Sequence, residues 1–253
     1  MKIVTLANHK GGVGKTTTAL NLAAGLRQQK KKVLLIDLDT QQNLTLTCGI
    51  DTDADLDNST LFDVFYGYTD INDCLFQIYE DTPDFDIIVG GVGLAEKTPK
   101  PERLAAALQK LEKQYDYIVI DTPPSLNSIT KMAIRTANDV IIPVQPSKYS
   151  LWGIGSLYGF IQDIQNDNPD IRVAGLLLVG INERTNIGKQ YIEDYKAVAK
   201  EINTKLFKAM IHSSVAISES QDYGRTIYKH APRSTVAKDY MNFVVEYMKG
   251  SKK

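Results

Sequence analysis

The chain has 253 residues, 43% hydrophobic and 23% charged, with a formal net charge of −1. That length allows one large α/β domain or two small ones, no linker divides it, and the composition is that of an ordinary soluble protein. Near-neutrality excludes a strong overall attraction to nucleic acid or anionic lipid, so any DNA binding has to be local or conditional.

In chain order, the apolar run Ile3-Val4-Thr5-Leu6-Ala7 leads into Asn8-His9-Lys10-Gly11-Gly12-Val13-Gly14-Lys15-Thr16-Thr17 and then a segment rich in Ala and Leu. This reads as strand, glycine-rich turn and helix. Glycines let main-chain N–H groups curl around an anion, and the following helix presents its positive end to it. In such a loop Lys15 reaches the β- and γ-phosphates of a nucleotide, and the Thr16 hydroxyl is placed to ligate Mg²⁺. The strict spacing G-x-x-x-x-G-K-[ST] needs glycine where His9 stands; the loop carries instead a second lysine, Lys10, before paired glycines.

The helix from Ala19 to Leu26 is apolar nearly all round, as befits one packed between a sheet and another layer. Val33-Leu34-Leu35-Ile36 reads as a strand buried on both faces, and it ends in Asp37-Leu38-Asp39. Carboxylates at the carboxyl end of a buried strand lie where ligands sit in open α/β sheets. Asp51 to Asp57 invites a calcium reading that fails, because Leu56 and Phe62 stand where an EF-hand needs glycine and glutamate. A polar loop is expected there, then short helices around Leu61 to Phe65 and Ile71 to Tyr79.

Phe85 to Val89 predicts a strand and Arg103 to Gln114 a helix. Tyr117-Ile118-Val119-Ile120 ends in Asp121, a Walker B arrangement whose carboxylate holds Mg²⁺, usually through a water. Val140 to Val144 and Val173 to Ile181 predict strands, with a helix from Trp152 to Ile164 between them. A helix from Ile187 carries Lys196 and Lys200 on a face away from its apolar stripe, and the last helix spans Thr235 to Met248 with Asp239 and Glu246 on it. This alternation specifies a doubly wound, mostly parallel sheet flanked by helices on both faces. Cys48 and Cys74 have no metal spacing and read as reduced thiols, no run of eighteen apolar residues exists, and no signal peptide opens the chain. A cytoplasmic protein is expected.

Lys10 to Thr17 resembles the deviant Walker A box of the ParA/MinD superfamily. The similarity to ParA/Soj partition ATPases extends over nearly the whole chain. It takes in Leu35 to Gln41, Ile118 to Ser125 and a tail containing Ser218-Glu219-Ser220, Tyr223-Gly224-Arg225 and Ala231-Pro232-Arg233-Ser234. The resemblance implies a P-loop ATPase, one domain over residues 1–253, that binds ATP and Mg²⁺ and hydrolyses ATP as a sandwich dimer. It also implies a nucleoid-associated protein that binds DNA without sequence preference and is stimulated by a ParB-type partner. The alternative is a MinD-like or cargo-positioning ATPase acting on a membrane or protein assembly, against which the acidic residues of the last helix count.

By the same resemblance Lys10, Lys15 and Asp39 are the catalytic set, and Lys10 reaches across to the partner's phosphates. Gly11, Gly12, Val13, Gly14, Thr16, Thr17 and Asp37 complete the phosphate side, Asn182 and Arg184 fall at the adenine, and Thr16, Asp39 and Asp121 serve the metal. The tail departs from the family in having Ala216 where relatives place a DNA-binding arginine. DNA contact then falls to Lys196, Lys200, Lys205, Lys208, Arg225 or Arg233.

Overall fold

The computed structural model describes residues 1–51, 59–79, 82–97 and 99–251. Strand β1 (Lys2–Leu6) runs into the glycine loop and helix α1 (Lys15–Gln28). There follow β2 (Val33–Asp37), α2 (Asn43–Thr47), α3 (Leu61–Tyr66) and a 3₁₀ turn at Ile71–Cys74. Next come β3 (Phe76–Gln77), β4 (Phe85–Val89), α4 (Gly93–Glu96), α5 (Arg103–Leu108) and β5 (Tyr117–Asp121). The chain continues with α6 (Ser128–Thr136), β6 (Asp139–Val144), α7 (Lys148–Asp167), β7 (Arg172–Ile181) and α8 (Asn186–Glu201). β8 (Ile211–His212), α9 (Val215–Asp222), α10 (Ile227–His230) and α11 (Thr235–Gly250) complete it.

The strands form one sheet in the order β3-β4-β2-β5-β1-β6-β7-β8, parallel throughout except for the β3–β4 pair. From β1 the chain moves outward past β5 to β2 and β4, returns to β5, then crosses to β6 on the other side. β1 therefore lies at the point where the winding reverses, and the crevice beyond its carboxyl end is where such sheets bind ligands.

Side-chain alternation in the strands builds two cores. Leu34 and Ile36 of β2 face the layer of α5, α6, α7 and α8, while Val33 and Leu35 face α1 and α11. Helix α11 buries Val236, Tyr240, Phe243, Val244 and Tyr247. Its near approach to α1 depends on Gly25, where a Cβ would lie 2.6 Å from Val244 Cγ2.

Two expected helices differ. The Ile71 to Tyr79 segment is a single 3₁₀ turn followed by β3, because Phe76 pairs with Ile87 at the sheet edge and edge pairing satisfies its main chain. The Arg103 helix ends at Leu108 rather than Gln114. Asn72 holds the chain there, donating to the Lys110 carbonyl and accepting from the Glu112 N–H. Of the Asp51 to Asp57 loop, residues 52–58 lie outside the described residues.

Candidate nucleotide site

Leaving β1, Asn8 pins the loop by donating to the Pro143 carbonyl at 2.8 Å and accepting the Lys10 N–H at 3.0 Å. Gly12 and Gly14 adopt φ of 72° and 86°, the left-handed region that glycine enters without strain. Gly14 is also the N-cap of α1, and no side chain caps that helix. Side chains of Thr60, Asn127, Ser147, Thr185, Thr226 and Ser234 do cap α3, α6, α7, α8, α10 and α11. The first N–H groups of α1 are thus left to an anion.

Lys15 is 6% exposed, and its ammonium donates to the Lys10 carbonyl at 3.2 Å. Burial lowers its pKa, while the charges of Asp121 and Asp39 oppose that shift. The Thr16 hydroxyl donates to Asp121 at 2.6 Å. Burial, reinforced by neighbouring Asp37, raises the Asp121 carboxyl to about 8. Asp121 itself has no exposure and does not line the cavity that Thr16 lines, and the pair is a carboxylate and a hydroxyl of the kind a divalent cation takes.

Asp39 is half-buried and lines a cavity of about 590 Å³ together with Gly11, Gly12, Gly14, Lys15, Thr16 and Thr17. Asn43 and Leu46 line it from α2, Gln41 from the turn before α2 and Gln221 from α9. That volume falls within the range of small-molecule sites and suits a nucleotide. Lys10 points elsewhere, its ammonium 3.4 Å from Ser147 Oγ and 3.2 Å from Ser150 Oγ at the start of α7.

An AAA domain model, AAA_31, matches residues 1–173. The chain is 36% identical to the sporulation initiation inhibitor protein Soj of Bacillus subtilis over 97% of each chain. It is 34% identical to the chromosome partitioning protein ParA of Myxococcus xanthus, over 98% of this chain and 88% of that one. The chain belongs to the ParA/Soj family of P-loop partition ATPases. Among solved structures, cobyrinic acid a,c-diamide synthase from Mycobacterium smegmatis with bound ADP and magnesium superposes with a TM-score of 0.82 at 27% identity. That match covers 100% of this chain and 96% of the other. The Pyrococcus furiosus cell division ATPase MinD shares the fold, with a TM-score of 0.79 at 23% identity over 98% of both chains.

In this ParA/Soj-family ATPase Lys10, Val13, Asp37, Asn182 and Arg184, all expected at the nucleotide, are not among the residues that line the cavity. Asp37 has no exposure and does not reach the cavity wall, because both its oxygens are taken. It accepts the Asp39 N–H at 3.1 Å, and the Thr45 N–H and hydroxyl at 2.9 and 2.7 Å. It therefore holds the turn that carries Asp39 and ties that turn to α2. Val13 is wholly buried and is not among the residues that line the cavity.

Asn182 and Arg184 form the exposed turn between β7 and α8, where the Asn182 side chain accepts the Arg184 N–H at 3.2 Å. They lie at the loop's end of the sheet, since Val179 of β7 packs under Gly14, but outside the cavity walls.

The basic residues do not gather on one face of the subunit. Lys196, paired with Glu193, and Lys200 stand on α8 on one side of the sheet. Arg225 and Arg233 flank α10 on the other, and Lys205 and Lys208 lie beside Glu246 of α11.

Sequence reading missed Gln145, Ser147, Ser150 and Gln221. Gln145 donates to the Gly12 carbonyl at 2.7 Å and Gln221 to the Thr17 hydroxyl at 3.0 Å. A signal existed for the first, because Gln145 follows the carboxyl end of β6 as Asp37 and Asp121 close β2 and β5. None existed for Gln221, which a packed α9 delivers from 204 residues away.

Proposed function

We propose that this chain is a Mg²⁺-dependent ATPase, a single domain over residues 1–253, that partitions DNA as an ATP-bound homodimer. The observation that carries the reading is the division of labour between two lysines of one loop. Lys15 is buried beneath the uncapped α1 terminus beside Asp121 and Asp39, while Lys10 is held outside the cavity on the hydroxyls of α7.

In the proposed reaction Lys15, Thr17 and the main chain from Gly11 to Thr16 bind the phosphates. Thr16 and Asp121 hold Mg²⁺, which when bound neutralises charge on the β- and γ-phosphate oxygens. Asp39 orients the attacking water. The water oxygen bonds to the γ-phosphorus as the bond to the β,γ-bridging oxygen breaks, giving ADP and phosphate. Lys10 leaves Ser147 and Ser150 to stabilise charge on the partner's nucleotide. Asn182 and Arg184 provide the adenine contacts.

Surface chemistry supports a dimer that closes over this end. Leu46, Val92, Trp152, Ile187 and Val215 are exposed large apolar side chains, each follows the carboxyl end of a strand in the chain, and Leu46 lines the cavity. Apolar exposure of that kind marks an interaction surface. Dimerisation would also bring two sets of Lys196, Lys200, Lys205, Lys208, Arg225 and Arg233 into one particle. DNA affinity rises steeply with the number of phosphates neutralised, so nucleotide would switch DNA binding on, and a ParB-type partner would end it by stimulating hydrolysis. No helix among the described residues is long and apolar enough to cross a membrane, and α11 turns its apolar stripe into the core. Cytoplasmic, nucleoid-associated action fits both.

Co-sedimentation with DNA and, in parallel, with anionic liposomes, each with ATP, ADP or no nucleotide, tests the proposal. Retention on DNA only with ATP is expected. Retention on liposomes alone would refute it.

A further inference from the structure

Gln145 is the first residue beyond β6, and its side-chain amide donates to the Gly12 carbonyl at 2.7 Å from outside the cavity. Its own main-chain carbonyl accepts the Tyr195 hydroxyl at 2.8 Å. Tyr195 is wholly buried on α8, and burial raises its hydroxyl to about 12, so it remains a donor at neutral pH. Two hydrogen bonds in series thus join the middle of α8 to the middle of the phosphate loop.

The geometry of the peptide bond gives this chain a consequence. In a trans peptide the carbonyl and the following N–H point in opposite directions. Holding the Gly12 carbonyl out toward Gln145 therefore fixes the plane of the peptide between Gly12, which lines the cavity, and the wholly buried Val13. Gly12, with φ at 72° and nothing within 4 Å of a would-be Cβ, is not otherwise confined by packing at that point. Without the Gln145 amide this peptide loses the bond that fixes it, and the Gly12 turn of the cavity wall need not keep its shape.

We infer that Gln145 is a positioning residue that holds the Gly12 turn of the loop in shape for a nucleotide's phosphates, and that Tyr195 fixes Gln145 for the task. The inference rests on the reading of the loop as the ATP site. It also makes α8 a lever on the loop, since a shift of that helix reaches Gly12 through Tyr195 and Gln145.

The test is calorimetric titration of the full chain with MgADP, which avoids turnover, beside thermal melts of each variant. Gln145→Met keeps the length and volume of the side chain, adds no charge and removes the donor. Losing one hydrogen bond of this kind is expected to weaken MgADP binding about five- to tenfold with an unchanged melting temperature. Tyr195→Phe should weaken it less. The double variant should be no weaker than Gln145→Met, because both residues act through the same bond to Gly12. Wild-type affinity in Gln145→Met would show a packing role only and overturn the inference, as would additive losses in the double variant. A wild-type chain that does not bind MgADP would remove the nucleotide site itself, and the inference with it.

Discussion

The Thr16 hydroxyl donates to the Asp121 carboxylate at 2.6 Å, joining the first turn of α1 to the end of β5. Burial first, and then the charge of Asp37, pushes Asp121 up to about 8, and burial pushes Asp37 up to about 6. A carboxyl raised on folding binds more protons in the folded than in the unfolded state between its ordinary and its raised pKa, so stability falls as pH rises through that interval. The ligand-free chain is therefore expected to lose stability from about pH 4 to about pH 8, with Asp121 responsible for the part above pH 6. Thermal melts at pH 6, 7 and 8 check this. Asp121→Asn keeps an acceptor for Thr16 and should flatten the decline; an equal decline in both proteins would contradict it.

Gly14 meets two constraints. Its φ of 86° disfavours a side chain by about 1–2 kcal/mol, and a Cβ would sit 2.9 Å from Val179 Cγ1. Gly14→Ala should lower the melting temperature and abolish nucleotide binding. Adding Val179→Ala removes the collision but leaves the left-handed backbone. The double variant should regain part of the stability and little of the binding, measured by melts and MgADP titration.

The strands around the site were readable because burial on both faces leaves an unbroken apolar run with a carboxylate at its end. Val33 to Asp37 and Tyr117 to Asp121 are therefore found where the sequence places them. The loop was readable for a related reason, since Gly12 and Gly14 are required by local backbone geometry. At Ile71 to Tyr79 and at the end of the Arg103 helix this logic fails. Short apolar windows there fit helix or strand equally, and a distant partner such as Asn72 or Ile87 decides. The same holds for Asp37, whose role depends on Thr45, eight residues on, and for Gln221, whose role depends on how α9 packs.

At the opposite end of the sheet Asp139 gathers three elements. Its carboxylate lies 2.9 Å from the Lys2 ammonium and 2.8 Å from Arg172 Nε, and accepts the Tyr247 hydroxyl at 2.9 Å. Burial would raise this acid, but hydrogen bonds from Arg172 and Lys2 outweigh it and hold the carboxyl below its ordinary range. Its contribution is thus present at neutral pH and lost as pH falls through the carboxylate range. Asp139→Ala strands the partners' charges and should cost about 3 kcal/mol in urea unfolding at pH 7, with a smaller difference at pH 3. A cost that does not shrink in acid would mean that packing, not charge, is what Asp139 supplies.

Lys10 permits a decisive test of whether two subunits share each site. If Lys10 serves the partner's nucleotide while Asp39 serves its own, Lys10→Ala and Asp39→Ala are each inactive alone for different reasons. Asp39→Ala should still bind ATP and accumulate as a dimer, and Lys15→Ala should not bind nucleotide at all. A mixed dimer of Lys10→Ala with Asp39→Ala then contains one site with both groups intact and one with neither. Random pairing makes half the dimers mixed, so an equimolar mixture assembled before ATP is added should recover about a quarter of wild-type turnover. If Lys10 instead acts on the nucleotide of its own subunit, every site in the mixture lacks one of the two groups. Turnover would then stay at the level of the single variants, and the ammonium resting on Ser147 and Ser150 would have to swing inward rather than across.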